Sequence, residues 1–368
     1  MALSVDGNTL VVGAPGEGYS TGAVYLFTRS GTRWNETTYF TASNPDISDN
    51  FGTAVAISAD GNTLAVAATG EDSNATGIGG DQNNDSAAYS GAVYLFLRSS
   101  GVWTRQAYVK ASNSQAGDGF GSGLALSGDG NTLAVTAQWE DSNAPAINGN
   151  QLDNSATDSG AAYVFTRSDA LWVQQAYVKA ASPAMLDEFG SSVALNGNGS
   201  VLAVGAYKDD DTAVDSGAVY IYQRTADVWS QARYIKAPNA QAGDGFGSAV
   251  ALSRDGEILA VGARGEDSSA IGVAGNQADN SSPNSGAVYL FSAIPADSQY
   301  VKATSTRYKD AFGTHLGDLF GSYGAVSLSG DGNTLAVGAQ YENGSAAGIN
   351  HGKTTNGYLD KSGAVYLY

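Results

Sequence analysis

The chain of 368 residues contains no Cys, only two His, two Met and seven Pro, and just 15% of its residues are charged. Without Cys there are no disulfides, no thiolate zinc sites and no cysteine nucleophile. With two His in the whole chain, His315 and His351, a histidine metal cluster or a repeated acid–base arrangement has nothing to be built from. Positive charge is scarce as well: 18 Lys and Arg stand against 36 Asp and Glu, for a net charge of −18. Such a field repels nucleic acid and anionic membranes and favours cations and basic partners. No apolar run approaches the ~20 residues of a membrane-spanning helix, so direct membrane insertion is not expected. No signal peptide opens the chain, and Met1-Ala2-Leu3-Ser4 enters a repeat midway, which reads as a trimmed or recombinant start.

What is abundant is glycine, 48 residues, with 20 Tyr and an apolar content of 42%. Glycine costs about 1 kcal/mol at an interior helix position, so this profile suits short strands joined by tight turns. The strongest signal is repetition. Ser/Thr-Gly-Ala recurs with its Gly at 22, 91, 160, 217, 286 and 363, at spacings of 69, 69, 57, 69 and 77 residues. An aromatic strand follows each time, from Val24-Tyr25-Leu26-Phe27 to Val365-Tyr366-Leu367-Tyr368.

In the third unit four strands can be read. Strand A spans Phe120 to Ser127, strand B Thr132 to Ala137, strand C Gly160 to Phe165, and strand D about Leu171 to Ala180. Asp129-Gly130 joins A to B, and Asp-Gly between alternating apolar runs is a hairpin signal because Gly accepts positive φ. A single antiparallel meander cannot bury both faces, whereas radial stacking of six such units can. The expected fold is all-β, a β-propeller of four-stranded antiparallel blades, six as written. A linear solenoid would need distinct caps, which are not seen. The units run approximately 1–43, 44–112, 113–181, 182–238, 239–304 and 305–368 in one domain. The first lacks most of strand A and the last stops after strand C, so a seventh blade in a longer natural chain is the competing reading.

Phe-Gly opening strand A (Phe51-Gly52, Phe120-Gly121, Phe189-Gly190, Phe246-Gly247, Phe320-Gly321), an Asp-Gly turn, and Gly-Ala closing strand B (Gly13-Ala14, Gly205-Ala206, Gly262-Ala263, Gly338-Ala339) together resemble the FG-GAP repeat. This is the unit of the integrin α-subunit propeller and of many bacterial secreted or surface proteins. The resemblance implies a β-propeller, an extracellular or cell-surface setting and a role in binding or adhesion, next to other domains. It also implies calcium in the A–B hairpin, held by Asp-x-Asp-x-Asp-Gly. Here only the final pair remains, as Asp60-Gly61, Asp129-Gly130, Asp255-Gly256 and Asp331-Gly332. One carboxylate falls short of the roughly six to eight oxygens calcium takes, so these turns are read as structural.

The D–A and B–C connections are long and share one face of a propeller, and binding residues favour loops on a rigid scaffold. A carboxylate follows every strand B: Glu17, Glu71, Glu140, Asp209, Glu266 and Glu342. Four have an acidic neighbour, Asp72, Asp141, Asp210 and Asp267, and three loops return through Gln82, Gln151 or Gln277 to Asp85, Asp153 or Asp279. Two readings stay open: a hard-cation site in each loop, with Ca2+ the natural occupant, or side chains that cap backbone groups and order the loop. A second acidic series precedes strand A: Asp49, Asp118, Asp187, Asp244 and Asp318. These form either a ring that binds a cation or a basic partner, or a set of acceptors for backbone N–H groups.

Trp139, Tyr207 and Tyr341 stand beside the loop acids, where exposed rings suit a glycan or a protein hot spot and buried rings would support the loop. Trp34, Trp103, Trp172 and Trp229 recur at the start of strand D and read as architecture, as do Lys110, Lys179, Lys236 and Lys302, partners for neighbouring carboxylates. No catalytic constellation stands out. The expected function is a surface or secreted module that binds a protein or glycan through Glu17, Trp139, Tyr207, Tyr341, Glu342 and the acidic loops. A carbohydrate-active protein and a structural module of a larger surface assembly are the alternatives.

Overall fold

The computed structural model describes residues 1–292, 298–302, 326–339 and 364–368. Its strands form six antiparallel sheets, each ordered as the chain runs. Sheet 1 comprises Ala2–Leu3, Thr9–Ala14, Ala23–Ser30 and Arg33–Phe40; sheet 2 comprises Phe51–Ile57, Thr63–Ala68, Ala92–Ser99 and Val102–Val109. Sheet 3 follows with Gly123–Leu126, Thr132–Ala137, Ala161–Ser168 and Leu171–Val178, and sheet 4 with Ser192–Leu195, Val201–Ala206, Ala218–Thr225 and Val228–Ile235. Sheet 5 holds Phe246–Leu252, Ile258–Ala263, Ala287–Ser292 and Ser298–Val301. Sheet 6 has three described strands, Val326–Leu328, Leu335–Ala339 and Ala364–Leu367. These are the blades of a β-propeller, and strands A to D below are the strands of a sheet in chain order.

The chain divides into two compact units. Of the described residues, one holds 1–204 and 221–233, the other 205–220, 234–292, 298–302, 326–339 and 364–368. Within the first, Leu95 and Val109 of sheet 2 pack with Leu133, Phe165 and Trp172 of sheet 3 in one buried cluster. Within the second, Val288 and Val301 of sheet 5 pack with Val326, Leu335 and Val337 of sheet 6. Alternation in the sequence translates directly into these clusters, since successive side chains of a strand face opposite ways. The tryptophans that open strand D are architectural: Arg29, Arg98, Arg167 and Arg224 each lie over one of them, 5.3 to 5.8 Å from the ring centroid.

The A–B turns are structural in detail. Ser58 Oγ donates to Asp60 Oδ1, which also accepts from the Asn62 N–H at 3.0 Å, while Thr63 N–H donates back to Ser58 Oγ at 2.9 Å. The same arrangement recurs at Ser127/Asp129, Ser253/Asp255 and Ser329/Asp331, and also at Ser4/Asp6, a turn the sequence reading did not count.

Strand A departs from expectation in sheets 3 and 4, where it is four residues long and begins after Phe-Gly. Beside each described Phe-Gly lies the glycine of the neighbouring repeat. Phe120 N–H donates to Ser90 O at 3.0 Å, and Gly91 lies so close that an added Cβ would sit 2.0 Å from Phe120 O. Gly22, Gly160 and Gly217 meet Phe51, Phe189 and Phe246 in the same way. The Phe backbone is thus bonded to the preceding repeat in all four; in sheets 2 and 5 it also pairs with Ala68 or Ala263 and opens strand A, whereas in sheet 3 Gly121, at φ +100°, lies ahead of strand A.

Gly91→Ala is expected to cost roughly 3 kcal/mol or more, from positive φ and backbone overlap together. Gly101→Ala, with φ +81° but nothing within 4 Å, should cost only about 1 kcal/mol. Urea unfolding of the two variants measures the difference.

Candidate functional site

The long loops rest on a buried polar cluster that repeats from sheet to sheet. In sheet 2, Lys110 follows strand D and its Nζ lies 2.7 Å from Glu71 Oε2, the two side chains being 0% and 1% exposed. Lys110 Nζ also donates to Ser90 Oγ, and Tyr108 Oη donates to Glu71 Oε1 at 2.6 Å. Asn44, from the preceding D–A loop, donates to Glu71 Oε1 and to Gln82 O and accepts from Tyr94 Oη. Sheet 3 repeats the set with Lys179, Glu140, Ser159, Tyr177, Asn113 and Tyr163. Sheet 5 repeats its centre with Lys302, Glu266, Ser285, Asn239 and Tyr289.

A buried charge pair survives only when nearly every lone pair and proton is satisfied, and here hydroxyls and an amide complete the shell. Burial pulls the Lys110 and Lys179 ammonium groups below their usual range, and the adjacent glutamates oppose the shift. Burial pushes the Tyr94 and Tyr108 hydroxyls above theirs, with Glu71 adding to the shift.

Two sheets vary the set. In sheet 4 the shorter Asp209 takes the place of glutamate, bound by Lys236 at 2.8 Å and by the hydroxyls of Tyr220 and Tyr234. Its B–C loop is short, and the Lys236 side chain is 15% exposed. In sheet 1, Thr41 stands where the lysine would be. Glu17 is half-buried and accepts from Tyr25 Oη at 2.7 Å, which pushes that hydroxyl up to about 12, and from Tyr39 Oη at 3.3 Å.

The second acid of each pair does separate work. Asp72 Oδ1 accepts from Tyr89 N–H at 2.8 Å, Asp141 from Asp158, Asp210 from Asp215 and Asp267 from Asn284. Each recipient is left-handed, with φ between 51° and 57°, a conformation that costs a non-glycine residue about 1–2 kcal/mol and needs a fixed partner. The carbonyls of Tyr89, Asp158 and Asp215 then accept from Gly119, Glu188 and Gly245 of the next repeat. Asp153 and Asp279 bind the N–H two residues on, and Ser73, Ser142 and Ser268 lace the loop across to the carbonyls of Asp81, Asn150 and Asn276. Each of these acids thus gives a carboxylate oxygen to a capping contact, and Asp85 is exposed. Among the described residues no group of three or more His, Asp or Glu side chains is gathered as a metal would need.

The second acidic series also caps backbone. Asp49, Asp118, Asp187 and Asp244 each accept from the N–H three residues earlier, at 2.8 to 3.1 Å. Desolvation, reinforced by the loop acids, pushes the Asp49, Asp118 and Asp244 carboxyls up to about 7. Asp318, Tyr341, Glu342 and both His lie outside the described residues. Of the loop aromatics, Trp139 is half-buried on Gly119, and Tyr207 is half-buried with the Arg264 guanidinium 4.0 Å from its ring centroid. Tyr19 and Tyr89, which the sequence reading passed over, are exposed. It also missed the asparagines, serines and tyrosines of the clusters, although Asn44, Asn113 and Asn239 each stand four residues past the end of a strand D.

An all-β chain of repeated antiparallel blades, welded by Phe-Gly to Ser-Gly contacts, defines the propeller class. The FG-GAP repeat family matches at residues 103–165, 172–222 and 229–291, so the chain carries FG-GAP repeats across this stretch. No curated protein matches the chain. Among solved structures it is similar to the β-propeller domain of Cps50 (Swd1) from Myceliophteria thermophila, at 12% identity and a TM-score of 0.44, covering 91% of this chain and 90% of that one. A likeness of that degree carries no argument about function.

Two outcomes are expected. Lys179→Met leaves Glu140 buried without its cation and should cost about 3–5 kcal/mol, with Lys179→Met/Glu140→Gln recovering part of the loss in denaturant titrations. Asp118 binds a proton in the folded chain up to pH of about 7, whereas its unfolded value is 3.8. Its contribution to stability therefore falls as pH rises between those values. Asp118→Asn keeps an acceptor for the Gln115 N–H, so thermal melts should show it more stable than the parent at pH 8, level near pH 4, and flatter between.

Proposed function

We propose that this chain is a recognition module of a secreted or cell-surface protein, binding a protein or glycan ligand through its B–C and D–A loops. The observation that carries this reading is the contrast within each long loop. The base is anchored by a buried Lys–Glu cluster, while Asn83 and Asp85, Asn154, and Asn280 stay exposed beyond it. Loops of about 20 residues held this firmly offer a fixed polar surface at little ordering cost to a partner. The net charge of −18 favours a ligand with basic character.

A glycan ligand draws its support from Tyr19 and Tyr89, 88% and 48% exposed beside loop acids and amides, since open ring faces suit sugar stacking. On that reading Tyr89→Ala abolishes glycan-array signals without lowering the melting temperature. An array blank for the parent chain would leave a protein ligand. Protein contacts order the loops in this proposal, so EDTA is expected to leave the melting temperature unchanged. A fall of several degrees that added Ca2+ reverses would instead place calcium in the loops.

A further inference from the structure

Five repeats place the carboxylate after strand B in the same way. The glycine ahead of strand C donates its N–H to that residue's carbonyl: Gly22 to Glu17, Gly91 to Glu71, Gly160 to Glu140, Gly217 to Asp209 and Gly286 to Glu266, at 2.8 to 3.0 Å. The hydroxyl before each glycine, on Thr21, Ser90, Ser159, Ser216 or Ser285, donates to the same carbonyl. In sheets 2, 3, 4 and 5 the carboxylate then binds the ammonium of the lysine just past strand D, at 2.7 to 2.9 Å. In sheet 1 that residue is Thr41, and the chain has no lysine at all before Lys110.

Sheet 4 shows what the sheet 1 arrangement accommodates. Both have a short B–C connection, residues 15–22 and 207–217, against 69–91 in sheet 2. In both, one tyrosine of strand C and one of strand D donate to the carboxylate. Tyr220 and Tyr234 reach Asp209 at 2.8 and 2.9 Å, and Tyr25 and Tyr39 reach Glu17 at 2.7 and 3.3 Å. The two rings lie 4.9 Å apart in sheet 4 and 5.2 Å apart in sheet 1, centroid to centroid. Two phenols do not exhaust a carboxylate, which offers about four lone-pair sites. Asp209 accepts Lys236 Nζ as well, at 2.8 Å. That ammonium also meets the Ser216 hydroxyl at 3.1 Å and lies 5.9 Å from the centroid of the Tyr234 ring. Short connections leave the place accessible: the Lys236 side chain is 15% exposed, whereas Lys110 under its long loop is 0% exposed.

We propose that Glu17, Thr21, Tyr25 and Tyr39 form a binding site for the primary ammonium group of a ligand, which takes the place that Lys236 fills in sheet 4. The Glu17 carboxylate supplies the counter-charge, the Thr21 hydroxyl an acceptor and the Tyr39 ring a cation–π contact. A lysine side chain of a polypeptide and a free polyamine present the same group, and the net charge of −18 draws either one. The site lies on the B–C turn of the proposed recognition surface and rests on that reading, which it narrows to an amine at this position.

The test uses the full chain with isotope-labelled tyrosine, the ring signals of Tyr25 and Tyr39 being assigned by NMR from the Tyr25→Phe and Tyr39→Phe variants. The probes are acetyl-Gly-Lys-Gly-amide, the same peptide acetylated on its lysine, and spermidine. Saturable shifts of both rings are expected with a free amine and none with the acetylated lysine. Tighter binding of the peptide assigns the site to a polypeptide lysine, and tighter binding of spermidine to a polyamine. Glu17→Gln should weaken binding about 10-fold or more, the scale of a hydrogen bond between charged groups. Thr41→Lys supplies the ammonium from within the chain, and should abolish binding while raising the melting temperature. The proposal is overturned if neither amine shifts the two rings saturably, or if the shifts survive lysine acetylation or Thr41→Lys. Shifts confined to other tyrosines, such as Tyr19 or Tyr89, would also overturn it while leaving the recognition surface standing.

Discussion

Four times in the described chain a glycine backbone lies against the backbone of a phenylalanine, closely enough that a single added carbon would overlap the carbonyl oxygen. The rest of the structure follows from that approach. It holds the Phe backbone at the entry to strand A, its N–H bonded to the serine or threonine before the glycine. It also sets the orientation of the polar cluster, since that serine points its hydroxyl at the buried lysine. No side chain larger than hydrogen fits at the contact, so each weld joins two glycine-containing dipeptides, Ser/Thr-Gly and Phe-Gly, to one geometry.

On this weld sits an electrostatic arrangement of unusual depth for a chain so acidic. Lysines that are 0% exposed lie within 3 Å of glutamates that are nearly as buried. Such pairs stabilise little against an apolar core of equal volume, and their effect is on specificity. Glu71 draws on strand D through Lys110 and Tyr108 and on the previous D–A loop through Asn44. A misplaced loop would leave an unpaired charge. Repeats with a lysine and a full-length glutamate carry the long loops; Asp209 goes with a short loop, and Glu17, lacking its lysine, with a turn.

Much of the fold was legible because its signals are periodic. The six aromatic strands, the Asp-Gly turns and strand B of the third repeat, Thr132–Ala137, lie where alternation and turn chemistry put them. Strand A of the third repeat was read from Phe120 and begins at Gly123; that the Phe120 N–H binds Ser90 of another repeat is carried by no local pattern. The site was legible in its residue types and less so in its pairings. Lysine and glutamate were each visible as recurrent, and lysine was read as a partner for carboxylates. That Lys110 and Glu71, 39 residues apart, share one proton-rich cluster with Ser90, Tyr108 and Asn44 is a fact of register. The acid pairs looked like one unit in sequence, yet Glu71 faces the buried cluster while Asp72 holds the left-handed Tyr89.

The spacing of the welds bears on how the chain finds its fold. Gly22 meets Phe51, Gly91 meets Phe120, Gly160 meets Phe189 and Gly217 meets Phe246, always 29 residues apart, although the repeats themselves differ in length. Every loop to be closed is thus the same modest size, and the length variation falls in B–C segments that the closure bypasses. Such a chain can condense from its beginning as it leaves the ribosome, one weld after another. The same uniformity has a hazard. Any exposed Phe-Gly matches any exposed Ser-Gly almost equally well, so at high concentration half-folded chains can exchange welds with one another. The unequal loops and the altered fourth cluster are the features that make one repeat distinguishable from the next.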